Sequence, residues 1–285
     1  MSGSRDAPDG PIEPARYDAF AEKLLPAVHQ AAAFARGLEG RVRNSPKPGE
    51  SSAVKQALTP ADVGTQEILL EALLEHFPEV CLAAEEDTET VAAFPKDADA
   101  QVVIDPIDGT LRSYLEASGP YAVIVGLAIR GLYHSALVSL PREGLYFDAV
   151  RGRGAYAGAT GVARKPVRSA ADGKCVYVSH GMPAAAAEVL RSHDYQVVPA
   201  CGGAVAVAPL VPGVCAGLRW AETALGISIR GRVGVLIARE AGALVGAANG
   251  VAFPEDMETP ASTLLVASHP EQLEHLDEAL AAVLP

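Results

Sequence analysis

Apolar residues recur at helical spacing from Ala15 to about Leu38, in an Ala- and Leu-rich run that stops at Gly40, which predicts a long first helix. Pro, Gly and Ser then collect between Asn44 and Ser52, the composition of an irregular loop. Thr59-Pro60-Ala61-Asp62 supplies a turn and a helix start, and that helix runs to His76, ahead of Phe77-Pro78. Two strand-sized apolar runs follow, Val80 to Ala84 and Gln101 to Ile104, each delivering carboxylates at its end: Glu85-Glu86-Asp87 and Asp105. From Tyr121 the pattern is β. Runs at Tyr121 to Ile129, Tyr133 to Leu140 and Leu145 to Val150, parted by Arg130-Gly131 and Pro141-Arg142-Glu143-Gly144, predict an antiparallel meander.

After Gly152 to Gly158 the character changes. Short strands near Cys175 to Val178 and Gln196 to Val198 alternate with helices near Ala184 to Ser192 and Gly231 to Ala241, an α/β pattern. A strand from Ser262 to Ser268 leads into a last helix, about Pro270 to Val283. The chain thus divides into a polar, Gly/Pro-rich tail (1–14), an α+β half (15–156) and an α/β half (157–285).

Composition narrows the function classes. With 285 residues, 49% of them hydrophobic, the chain can bury a large core without disulfide or metal staples. Cys81, Cys175, Cys201 and Cys215 lack the paired spacing of a zinc site or redox dithiol and read as reduced thiols, which points to the cytoplasm. A net charge of −12, without clustered Lys or Arg, argues against nucleic-acid binding. No apolar run approaches the roughly 20 residues of a membrane span, and the first residues lack a secretory pattern. A soluble protein with no membrane partner is expected.

The sharpest local signal is Asp105-Pro106-Ile107-Asp108-Gly109-Thr110. Two carboxylates three residues apart, across a rigid Pro, can converge on one hard cation of the magnesium type. The following Gly-Thr pair offers backbone N–H groups and a hydroxyl to a phosphate. An ordinary Asp-Gly turn accounts for the same letters.

This hexamer resembles the hallmark of the inositol monophosphatase superfamily, the lithium-sensitive, magnesium-dependent phosphomonoesterases. Thr59-Pro60-Ala61-Asp62 is similar to that family's Thr-x-Ala-Asp element, and Ala84-Glu85-Glu86 to its Gly-Glu-Glu, with Ala for Gly. Gly152-Arg153-Gly154-Ala155-Tyr156, Glu240-Ala241-Gly242 and Leu264-Leu265-Val266-Ala267-Ser268 extend the likeness to the C-terminal region. The resemblance implies a layered αβαβα sandwich, a metal-binding first half, a substrate-specificity second half, and a homodimer. It implies a hydrolase using magnesium, or manganese, on a small phosphorylated cyclitol, sugar or nucleotide. Carried over, Glu85, Asp105 and the Ile107 carbonyl would bind the first ion, and Asp105 with Asp108 a second. Gly109 and Thr110 would hold the phosphate. Asp62, paired with the Thr110 hydroxyl, would help deprotonate the attacking water. Taken alone, Asp62 also reads as a helix N-cap, and Glu85-Glu86 as a solvated acidic pair.

The chain departs from the pattern where the family carries Trp-Asp before Glu-Ala-Gly: counted back without gaps, Ile229-Arg230 stands there, so a guanidinium replaces a ligand of the second ion unless a local shift brings Glu222 into that role. Three readings follow. Arg230 fills the second position and binds phosphate in a site holding fewer ions than usual; the protein binds a phosphorylated ligand without cutting it, or has a structural role; or Arg230 points to solvent. Arg112, two residues past Thr110, either adds phosphate affinity or lies on the surface, and Glu222 is a candidate substrate contact within Gly202 to Gly226.

Overall fold

The computed structural model describes residues 14–47, 49, 52–159, 161–170, 172–221 and 226–284. The expected tail at residues 1–14 falls outside them but for Pro14, and Glu222 falls outside them too. The apolar run that opens the chain divides into a 3-10 turn, Pro14–Tyr17, and helix α1, Phe20–Leu38. A single turn, α2 (Ala53–Gln56), precedes α3 (Pro60–His76), which packs on α1.

Strand β1 (Cys81–Ala83) lies parallel to β2 (Ala100–Asp108), and the expected meander follows as β3 (Ala122–Ile129), β4 (Leu132–Leu140) and β5 (Leu145–Val150). The sheet continues past residue 156 through β6 (Ala155–Ala159) and β7 (Lys165–Val167), giving seven strands in the order β1 to β7. A second sheet of five strands has the order β11-β12-β10-β8-β9. Its strands are β8 (Cys175–Ser179), β9 (Gln196–Ala200), β10 (Val214–Trp220), β11 (Leu244–Gly246) and β12 (Thr263–Ala267). Between and beside them run α4 (Ala184–Ser192), α5 (Gly202–Ala206), α6 (Val233–Glu240) and α7 (Pro270–Ala281). The helix expected from Gly231 opens instead with a 3-10 turn, Arg230–Arg232.

The period-2 alternation of the strands sorts side chains into layers. Val102, Ile104, Val123 and Val125 bury against α1 and α3, whereas Val103, Ala122 and Ile124 face the layer of α5 and α6. In the second sheet Leu264 and Val266 face α6, and Leu265 and Ala267 face α4 and α7. The order is therefore helices, sheet, helices, sheet, helices: the αβαβα sandwich. Gly126 sits on the β3 face beneath α6, where an added Cβ would come 2.8 Å from Val233. The four cysteines are free thiols. Among the described residues no helix is long and apolar enough to cross a membrane.

Candidate active site

The first turn of α3 carries Asp62. Thr59 is the N-cap, its hydroxyl accepting from the Ala61 N–H at 3.1 Å, and Pro60 occupies the first turn, where its missing N–H costs nothing. Asp62 is the third residue of a capping box rather than the cap itself. Its Oδ2 accepts from the Thr59 N–H and hydroxyl, both at 2.7 Å, which leaves Oδ1 to accept from the Thr110 hydroxyl at 2.9 Å. The helix cap and the contact to Thr110 thus use different oxygens of one carboxylate. Burial raises the proton affinity of Asp62, against the hydrogen bonds from Thr59 and Thr110.

The hexamer lies where β2 leaves its ladder. Asp105 pairs with Ile124 and Asp108 with Ala122, so three steps on β2 match two on β3, and Pro106, with no N–H to donate, sits in the resulting bulge. Gly109 then turns left-handed at φ 91°, and its position against the Cys201 Cβ, 2.8 Å from where a Cβ would stand, excludes any larger residue. A π-helical turn, Thr110–Leu115, follows. The Thr110 hydroxyl also reaches the Ile107 carbonyl at 2.8 Å. Carrying one proton, it donates to Asp62 or to Ile107, not to both.

Glu85 and Glu86 come off the end of β1. Gln66 of α3 fixes the Glu86 peptide at both ends, donating to its carbonyl at 2.7 Å and accepting from its N–H at 3.0 Å. Lys47 reaches in from the Pro-rich loop, its Nζ 2.6 Å from Glu86 and 3.7 Å from Glu85. Burial works against the Lys47 charge, but Glu86, Glu85 and Asp62 outweigh it and hold the ammonium above its usual range. Burial likewise pushes Glu86 up, with Lys47 opposing.

Arg230 turns inward. Its Nε donates to the Ile104 carbonyl at 3.1 Å and its Nη2 to the Ala84 carbonyl at 2.8 Å. These are the peptides immediately before Asp105 and Glu85, so one guanidinium ties together the strand ends that deliver the two carboxylates. Asp108 points toward α5, where its Oδ2 accepts from the Gly203 N–H at 2.5 Å.

The donor chemistry decides which cation positions fit. Asp105 Oδ1 is buried with no partner among the described residues. Burial first, then the charges of Glu85 and Asp108, push the Asp105 carboxyl well above its usual range, and Arg230 opposes them. Lys47 and Arg230 offset only part of the charge of carboxylates crowded in this way, and a magnesium ion, which takes one or two carboxylates and keeps its waters, suits the Glu85–Asp105 corner. No three His, Cys, Asp or Glu side chains form a metal-holding group among the described residues. The Arg230 guanidinium, held on the Ile104 and Ala84 carbonyls, adds a positive charge beside Asp105 that disfavours a further cation next to it.

Asp62, Glu85, Asp105, Ile107, Asp108, Gly109, Thr110 and Arg230 therefore meet at one corner. Arg112 stands at its rim, largely exposed and paired with Glu116 at 2.8 Å. Lys47 and Gln66 were not singled out in the sequence; no motif marks either, and only the fold brings them to Glu86.

The model of the inositol monophosphatase family matches residues 18–226. A histidinol-phosphatase of Chlorobaculum parvum is 31% identical over 99 residues, covering 35% of this chain and 36% of that protein. The Nus factor SuhB of Escherichia coli K12 is 30% identical over 98 residues, 34% of this chain and 35% of that protein. Such matches span about a third of the length of these curated relatives. Among solved structures, the extragenic suppressor protein suhB of Bartonella henselae superposes with a TM-score of 0.73 at 18% identity, over 94% of this chain and 100% of that one. The inositol monophosphatase of Anabaena gives 0.63 at 20% identity, over 94% and 97%. At such identities these two structures establish the shared fold.

Proposed function

Because this chain belongs to the inositol monophosphatase family, we propose that it is a magnesium-dependent phosphomonoesterase acting on a small phosphorylated cyclitol, sugar or nucleotide, with fewer ions than the family's usual site. The observation that carries this reading is the Thr110 hydroxyl on Asp62 Oδ1 at 2.9 Å, a buried contact between the hexamer and the start of α3. Glu85, Asp105 and the Ile107 carbonyl would hold the ion, with Asp108 alongside; manganese would serve in place of magnesium. When bound, the ion supplies Lewis-acid chemistry, neutralising phosphate oxygens and making water a stronger nucleophile.

The chain's own residues do the rest. The Gly109 N–H and Thr110 hold the phosphate. Water loses its proton to Thr110 Oγ, whose own proton passes to Asp62 Oδ1, and burial suits Asp62 to take it. Arg230, with Nε and Nη2 spent on carbonyls, has Nη1 without a hydrogen bond among the described residues and can offer it to a phosphate oxygen. The reading includes a homodimer in the cytoplasm, for which light scattering is expected to give twice the chain mass. The acidic balance supports the absence of a nucleic-acid partner.

The fixed Arg230 also favours a second reading, a protein that binds a phosphorylated ligand without cutting it. Phosphate release from inositol 1-phosphate, histidinol phosphate, fructose 1,6-bisphosphate and 3′-phosphoadenosine 5′-phosphate separates the two. The first reading expects release that needs magnesium and falls by about a hundredfold or more in Asp105→Asn. Thermal stabilisation by these esters without turnover, and turnover gained in Arg230→Asp, would establish the second.

A further inference from the structure

A cavity of about 320 Å³ opens beside the Asp108–Gly109 corner, walled by Trp220 on one side and with Arg112, His180 and Arg219 on its lining. The volume suits a small metabolite. Among the described residues its lining is unusual for a chain of net −12, since two arginines face it and the one carboxylate, Asp108, already accepts from the Gly203 N–H.

Arg219 is built in rather than draped on the surface. Its guanidinium lies against Gly202 at the start of α5 and Gly231 in the 3-10 turn, and a Cβ added at either glycine would fall inside it. Two glycines on separate elements therefore keep one slot open for this side chain. Within the slot Nη1 is buried and has no hydrogen-bond partner among the described residues. An N–H left unmade in this way is costly, and more so on a charged group. Among the described residues the Arg112 side chain is paired with Glu116 in an exposed ion pair, which contributes little and leaves it able to turn inward. Burial lowers the proton affinity of His180, whose Nε2 donates to the Ser118 carbonyl at 2.9 Å.

We propose that this cavity receives the non-reacting end of a substrate bearing a second anionic group, a phosphate or a carboxylate, and that Arg219 binds this group with Arg112 at the rim. The proposal rests on the phosphomonoesterase reading: the ester to be cut lies at Gly109 and Thr110, and the second oxyanion lies across the cavity, against Arg219.

The test compares kcat/KM within two matched pairs of esters in magnesium. One pair is glycerol 2-phosphate and 2-phosphoglycerate, which differ by a carboxylate. The other is adenosine 3′-phosphate and adenosine 3′,5′-bisphosphate, which differ by a phosphate. The intact protein is expected to favour the doubly anionic member of at least one pair by about tenfold or more, a charge-assisted hydrogen bond's worth. The pair that shows it identifies the oxyanion. In Arg219→Gln the ratio is expected to fall to near one, and in Arg112→Gln by about threefold. Ratios near one in the intact protein, or unchanged in Arg219→Gln, overturn the proposal. Should Arg219→Gln not fold, the intact protein's ratio and the exposed Arg112→Gln decide. Thermal stabilisation by the same four esters separates the two claims. Selective stabilisation by the doubly anionic member without turnover upholds the subsite and sinks the hydrolase; turnover without preference does the reverse.

Discussion

At the scale of single residues, the chain repeatedly buries carboxylates and sets a cation beside them: Lys47 by Glu86, Arg230 by Asp105, Arg164 by Asp148. The last pair lies away from the candidate site and isolates the cost of such burial. Asp148 is 1% exposed, and burial pushes its carboxyl from 3.8 to about 6 despite the Arg164 guanidinium. A folded-state value above the unfolded one means that the contribution to stability is fully present below about pH 4 and is lost as the pH rises through 6. Two pH units correspond to roughly 3 kcal/mol. Urea unfolding of Asp148→Asn should therefore lose much of the decline in stability between pH 4 and 6 that the parent shows. An equally steep decline in the variant would contradict this account of Asp148.

At the scale of elements, the site is a junction of three ends: the start of α3, the end of β1 and the bulged end of β2. Gln66 locks the first two together. Gln66→Ala removes both bonds to the buried Glu86 peptide and should cost about 1–3 kcal/mol by denaturant unfolding. Unchanged stability would show that water replaces them freely. This junction also marks what the sequence reveals. Asp62, Glu85 and the hexamer were legible because each stands at a sharp signal: a capping pattern, or a strand ending in acid. The meander showed in its apolar runs parted by turn residues, but β6 and β7 are short and half-exposed and continue the sheet past the last long run. Lys47 was hidden because it arrives through backbone pairing of an irregular loop, Lys47 N–H to the Gln56 carbonyl at 2.8 Å, which leaves no periodic trace. The inward turn of Arg230 depends on carbonyls 126 and 146 residues away, and no local pattern encodes it. Arg219 went unnoticed because its slot is made by two glycines on separate elements, which no local pattern joins.

At the scale of the whole molecule, α5 and α6 form the layer shared by both sheets, and one core cluster runs from Val103 and Ile124 of the first sheet through Val205 and Val233 to Tyr177 of the second. The two halves read from the sequence therefore share a core, and calorimetry should record a single unfolding transition; two resolved transitions would contradict the shared layer. The same arrangement places the carboxylate corner on the first sheet and the Arg219 cavity against the second, so that catalysis and selectivity would draw on different halves. The claim on which all of this depends is that the corner works through a hard cation. Its most direct measurement is the rate of phosphate release by the intact chain as magnesium is titrated from a chelated start. The account predicts no release without magnesium and a rise that saturates as for a single binding step; release that persists in chelator, or none at any magnesium concentration, would contradict it.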